Sequence, residues 1–79
     1  MTSARTRLIG REMKNLRIHS GKTLQQVGDA LGVTRATISA WEKGTNSPAV
    51  DSIAEYCDYL GYDYLTLLEN VQKDLRSER

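Results

Sequence analysis

At 79 residues, with one Trp, four Tyr, no Phe and a single Cys, the chain supports one small domain, residues 1–79, with a modest core. A lone Cys57 excludes an intrachain disulfide and fits a reducing cytoplasm, and one His with one Cys is too little for a metal cluster. The formal net charge is +1 but divides unevenly: residues 1–48 hold eight cations against three anions, and residues 49–79 hold three against seven. A basic half and an acidic half suggest one face for phosphates and another kept away from them.

Residues 1–5 are polar and expected to be mobile, with Arg5 as a candidate basic arm. The opening MTSARTRL has no hydrophobic signal core, and no apolar run approaches membrane-spanning length, so a cytoplasmic protein is expected. A first helix is predicted over residues 7–19, because Ile9, Met13 and Leu16 fall at i, i+4 and i+7. Arg7, Arg11 and Lys14 lie off that stripe, where a cation meets either solvent or phosphate. Ser20-Gly21 ends the helix, and His19 suits the negative end of its dipole better than a ligand role.

Thr23-Leu24-Gln25-Gln26 opens a second helix, and Thr23 with Gln26 matches a capping box. Val27 and Leu31 share its apolar face, and Gly32 ends it. Thr34 supplies an N-cap oxygen for a third helix over residues 35–43, stopped by Gly44. With Ile38 and Trp41 pointing inward, Arg35, Ala36, Ser39, Ala40 and Lys43 form the outward stripe. It has a cation at each end and only small side chains between, a face lean enough to lie in a DNA major groove.

Thr45-Asn46-Ser47-Pro48 reads as a turn, with Ser47 capping a fourth helix over residues 49–60 and Pro48 at its first position. Val50, Ile53, Ala54, Cys57 and Leu60 form its apolar side, where Cys57 is a small core hydrophobe. Gly61 ends it, and Asp63 caps a fifth helix running from residue 64 towards residue 75. Its apolar residues, Tyr64, Leu65, Leu67, Leu68, Val71 and Leu75, form a stripe wider than one small core needs. Residues 76–79 are polar and expected to fray.

The stretch TLQQVGDALGVTRATISAWEKG, residues 23–44, resembles the helix-turn-helix of the phage repressor and Cro-like (XRE) family. The matching features are Thr23, Val27, Leu31-Gly32-Val33-Thr34, Thr37-Ile38-Ser39, Trp41-Glu42-Lys43-Gly44 and Ser47-Pro48. The likeness extends upstream to Ile9-Gly10, Met13 and Leu16-Arg17, and downstream to Ile53, Leu60-Gly61 and Leu67-Leu68. It implies an all-α, compact five-helix bundle, a lambda-repressor-like DNA-binding domain, of bacterial or phage origin. Two positions depart from the pattern. The family usually has Gln in place of Leu24, where it binds a phosphate and braces the recognition helix, and Leu24 has no group to do so. The family usually has Ala in place of Gly28, where Gly costs about 1 kcal/mol of helix propensity.

Arg35 sits where side chains reach base edges, and its guanidinium suits guanine O6 and N7; the alternative is a phosphate contact. Ala36 and Ala40 either pack on thymine methyls or only permit close approach. Thr37 and Ser39 offer hydroxyls to bases or phosphate. Candidate phosphate contacts are Arg11, Thr34, Thr37, Lys43, Thr45 and Asn46, the last two equally readable as plain loop. The resemblance adds Thr23 as a phosphate contact and an ion pair between Arg17 and Glu42, joining the first helix to the third. Such a pair orients Arg17 without needing to add net stability.

Tyr56, Tyr59, Tyr62 and Tyr64 all lie in the acidic half, against a single-strand stacking surface, which interleaves aromatics with cations. The glycines are scattered rather than gathered in a phosphate loop, and a catalytic triad would need the lone His19. Neither an enzyme nor a cofactor is expected. The expected function is sequence-specific binding of double-stranded DNA as a transcriptional regulator, a repressor acting as a homodimer on an inverted repeat. Residues 63–79 are the expected dimerisation element, with Leu68 and Val71 in the contact and Leu75 at its edge. The rival reading is an antitoxin that docks a protein toxin on the same apolar stripe.

Overall fold

The computed structural model describes residues 3–77. Five helices follow one another: α1 (Ala4–His19), α2 (Leu24–Leu31), α3 (Arg35–Lys43), α4 (Val50–Leu60) and α5 (Tyr64–Ser77). Among the described residues the architecture is an all-α five-helix bundle containing a helix-turn-helix. Helix α1 is the central strut and packs most extensively on α5 and α3, while α2 packs on α3.

Side-chain caps set several of the boundaries. The Ser3 hydroxyl accepts a hydrogen bond from the Thr6 amide, so α1 begins a turn earlier than the periodicity predicts and Arg5 lies within it. Of the five residues expected to be mobile, Ser3 caps α1 and Ala4 and Arg5 belong to it, while Met1 and Thr2 lie outside the described residues. The Thr23 hydroxyl accepts from the Gln26 amide, and the Gln26 side chain accepts from the Thr23 amide, closing the capping box of α2. Asp63 receives the Leu65 amide at the start of α5. The expected Ser47 cap is absent: α4 starts after Ala49, which makes no side-chain cap, and Pro48 is buried ahead of the helix. Asp51 in the first turn of α4 complements its dipole instead. Helix α5 continues through Ser77, beyond the predicted end; Glu78 and Arg79 lie outside the described residues.

The core gathers Leu8 and Met13 from α1, Val27 from α2, Ile38 and Trp41 from α3, Ile53, Tyr56 and Cys57 from α4, and Leu67 and Val71 from α5. Three corrections to the predicted stripes follow. In α1, Leu8 is buried, while Ile9 and Leu16 only flank the core, because the helix turns its inner face towards both α3 and α5. In α4, Val50 is 62% exposed, since it opens the helix ahead of the core, and Tyr56 takes an inward place instead. In α5, Val71 is only 2% exposed, and Leu68 and Leu75 pack against the core. The long apolar stripe is therefore used chiefly inside the monomer, because α1 is long enough to cover α5.

Two glycines permit the closest helix approaches. A Cβ on Gly10 would overlap the Trp41 carbonyl oxygen and lie 2.8 Å from that of Glu42, so α1 crosses α3 backbone to backbone. A Cβ on Gly28 would lie 2.7 Å from the Val33 carbonyl oxygen. Gly28 thus lets α2 sit directly on the turn into α3, which accounts for Gly where the helix alone would favour Ala.

Candidate nucleic-acid interface

Helix α2 ends at Gly32 in the left-handed conformation, and two residues later Thr34 caps α3. The Thr34 hydroxyl accepts from the Thr37 amide and lies 2.9 Å from the Thr37 hydroxyl. This fixes the start of α3 and so the direction of its first turn. Ile38 and Trp41 enter the core, leaving Arg35 and Ala36 exposed and Ser39 and Ala40 partly so. These four residues and Lys43 share one outward side of α3.

Beneath that side lies a buried polar network. Arg17 of α1 donates from Nε to Glu42 Oε2 at 2.8 Å and from Nη2 to Oε1 at 3.0 Å, a bidentate pair. Its Nη1 donates to the Lys22 carbonyl at 2.9 Å, tying the α1–α2 turn to the same guanidinium. The Tyr56 hydroxyl of α4 lies 2.7 Å from Glu42 Oε2 and 2.7 Å from the Met13 carbonyl, one proton shared between two acceptors. Three helices and a turn thus meet around one carboxylate; among the described residues no buried side-chain polar atom lacks a partner. The hydrogen bond to Glu42 raises the pKa of Arg17, against the opposing effect of burial. Burial, followed by the Glu42 carboxylate, holds the Tyr56 phenol well above the usual tyrosine range.

Tyr56 is the residue the sequence reading missed. It stands three residues after Ile53 and four before Leu60, on the inward stripe of α4. A tyrosine at such a position calls for a buried partner for its hydroxyl, and that was the available signal.

Two open clefts flank the outward side of α3. One runs between α1 and α3, where Arg7, Arg11, Lys14 and Lys43 surround Ser39. The other, at the start of α2, is lined by Lys22, Thr23, Gln25 and Arg35. Arg17 and Leu24 border both. The remaining site candidates have defined local roles: Thr23 and Thr34 cap helices, and the Thr45 hydroxyl donates to the Ala40 carbonyl. Asn46 is exposed next to Thr45, and Arg11 pairs with Asp74 of α5 at 3.4 Å. Among the described residues no group of His, Cys, Asp or Glu side chains is placed to hold a metal ion, and no helix is long and apolar enough to cross a membrane.

A capped, lean helix held across a shorter one by a tight turn defines a DNA-binding helix-turn-helix domain. The helix-turn-helix family model matches residues 13–67, and the chain belongs to that family, with the XRE/Cro-like form of the motif. Solved structures share the fold at low identity. The clp gene regulator ClgR from Corynebacterium glutamicum is 21% identical, with a TM-score of 0.86 over 96% of this chain and 80% of that one. A point mutant of the restriction-modification controller protein C.Esp1396I is 18% identical, with a TM-score of 0.84 over the whole of both chains. The hypothetical transcription factor NHTF from Neisseria is 23% identical, with a TM-score of 0.72 over 84% of this chain and 75% of that one. No curated protein sequence matches the chain significantly.

Proposed function

We propose that the chain is a transcriptional regulator that binds double-stranded DNA sequence-specifically and represses by occupying its operator as a homodimer. The carrying observation is the outward side of α3: Arg35, Ala36, Ser39 and Ala40 stand clear of the core on a helix pinned from beneath by Glu42. Arg35 and the small residues read base edges, while Thr23, Thr34, Thr37, Lys43, Thr45 and Asn46 hold phosphates on either side. The similar structures that bear regulator names support the reading through the shared fold.

One recognition helix reads few base pairs, so two copies on an inverted repeat supply the selectivity a genome requires. The contact between copies uses the outer edge of α5. Leu65 there is 55% exposed, and Leu68 and Leu75 border it half-buried; Val71 belongs to the core. The antitoxin alternative rested on a free apolar stripe along α5, and that stripe is largely spent on the monomer's own core.

Selection of bound sites from random duplex DNA tests the proposal. A two-fold symmetric consensus, with binding that weakens steeply as salt rises, is the expected result. Equal affinity for all sequences would overturn specific regulation.

A further inference from the structure

We propose that Leu24, the first residue of α2, is a specificity-determining residue that packs on the C5 methyl group of a pyrimidine beside the base pair read by Arg35. The inference rests on the DNA-binding reading and deepens it, adding an apolar base contact from a helix other than α3. Three observations support it.

The first is position. Leu24 borders both clefts, the one lined by Arg35 and the one lined by Ser39. Arg35 and Ser39 stand one turn apart on the outward side of α3. Leu24 therefore lies against the N-terminal part of α3, the part of a recognition helix that reaches base edges.

The second is exposure. Leu24 packs against the core on one side and is partly exposed on the other. Its polar neighbours are committed within their own helix: Gln25 donates to Asp29 at 2.8 Å, and Gln26 closes the capping box with Thr23. Every other residue that lines the two clefts is polar or charged. The branched end of Leu24 is thus the apolar feature in a polar surround, set beside the residues that face the bases.

The third is chemistry. Leu24 offers no donor, acceptor or charge, so it has nothing to give a phosphate or the polar part of a base edge. The apolar group that a base presents in the major groove is a pyrimidine C5 methyl, carried by thymine and by 5-methylcytosine. Contact between that methyl and Leu24 removes apolar surface of both from water. Because Leu24 and Arg35 line the same cleft, the methylated pyrimidine neighbours the base pair that Arg35 reads.

The test is a cycle between protein and DNA. The full chain, Leu24→Ala and Leu24→Met are compared on a duplex obtained by site selection, with each thymine of the half-site replaced in turn by deoxyuridine, in both half-sites at once. Deoxyuridine removes the methyl and keeps every polar group of the base edge. Circular dichroism checks that the variants fold. For the parent, one replacement should weaken binding about fourfold per half-site, the effect of burying one methyl group. Leu24→Ala should bind the two duplexes alike, and Leu24→Met, which keeps an apolar end, should restore the difference. Cytosine and 5-methylcytosine at the same position, each paired with guanine, separate the two sources. A gain from the second methyl supports contact with either pyrimidine; a gain from the thymine methyl alone supports contact with thymine. A deoxyuridine penalty of equal size in the parent and in Leu24→Ala would overturn the inference, whatever the variant does to overall affinity. A Leu24 that only shields Arg17 and Glu42, or a methyl held by Ala36 or Ala40, gives that pattern. The absence of a penalty at every thymine would overturn it as well, while leaving the DNA-binding reading intact. A parent chain that selects no sequence would overturn both.

Discussion

The phenolic oxygen of Tyr56 lies 2.7 Å from Glu42 Oε2, so a residue of α4 braces the carboxylate through which α1 holds the recognition helix. Tyr56→Phe keeps the ring and removes the shared proton, leaving the buried Met13 carbonyl and Glu42 each short of a donor. A loss of about 1–3 kcal/mol in urea unfolding is expected. Glu42→Ala should cost more, about 3–5 kcal/mol, because Arg17 is left charged, largely buried and without its counter-ion. Operator affinity should fall in both variants even under conditions where they remain folded. Tighter DNA binding by a fully stable Glu42→Ala protein would show that the carboxylate acts only as a charge repelling phosphate.

Arg35→Ala should relax base preference at one position in each half-site, at about 1–3 kcal/mol per contact, with little effect on folding. Competition between operator variants measures it. Uniform weakening across all sequences would reassign Arg35 to phosphate.

Gly28→Ala sets two effects against each other. Helix propensity favours Ala by about 1 kcal/mol. The added methyl, however, would sit 2.7 Å from the Val33 carbonyl oxygen, a backbone atom that cannot swing aside. Overpacking of this kind costs about 1–3 kcal/mol. The variant is therefore expected to melt at a lower temperature than the parent, and a rise in melting temperature would show that the turn yields.

Leu65→Asp and Val71→Asp separate the two sides of α5. Leu65 is 55% exposed and Val71 2% exposed. Val71→Asp buries a charge in the core and should unfold much of the protein, whereas Leu65→Asp should leave stability nearly unchanged. Sedimentation at several concentrations should find the Leu65 variant monomeric where the parent dimerises. A parent that stays monomeric at high concentration, both free and on its operator, would exclude this edge as the contact.

Alkaline pH should weaken the fold. Burial, aided by Asp58 and Asp63, pushes the Cys57 thiol from an ordinary 9.0 up to about 11, and the Tyr56 phenol is raised from 10.0. In the unfolded chain each group ionises at a lower pH than in the fold. The stabilisation is therefore complete below about pH 9 and fades as pH rises towards 11, by about 2–3 kcal/mol for Cys57. Cys57→Ala should hold level from pH 9 to 10 and decline only where Tyr56 begins to titrate. Denaturant midpoints between pH 7 and 11 give the comparison.

Local signals were the most legible. Thr23 with Gln26, Thr34 before α3, Gly32 and Gly44 after their helices, and Asp63 before α5 each act within a few residues, and each was readable directly from the sequence. Ser47 failed by the same logic, because capping chemistry existed there but Pro48 was buried ahead of the helix. Periodicity found the inward sides of α2 and α3 but mistook the extent of burial on α5. How much apolar surface a helix needs depends on what covers it, and α1 covers α5 although Arg11 and Asp74, which meet there, stand 63 positions apart in sequence. Tyr56 was missed for a related reason: its two acceptors lie 14 and 43 residues away in sequence. The clefts beside α3 are likewise assembled from α1, α2 and α3, and sequence spacing shows none of their geometry.

On α3, the residues that hold the helix in place and those that face outward are separate sets. Thr34, Ile38, Trp41, Glu42 and Gly44 provide the cap, the core contacts, the ion pair and the stop. Arg35, Ala36, Ser39 and Ala40 take part in none of these side-chain contacts. Under the regulatory reading, a change of operator requires substitutions only in the second set, each nearly neutral for folding. Duplicated copies of such a gene can drift towards new target sites without passing through an unfolded intermediate sequence, and an engineer can exchange the same four side chains on an unchanged scaffold.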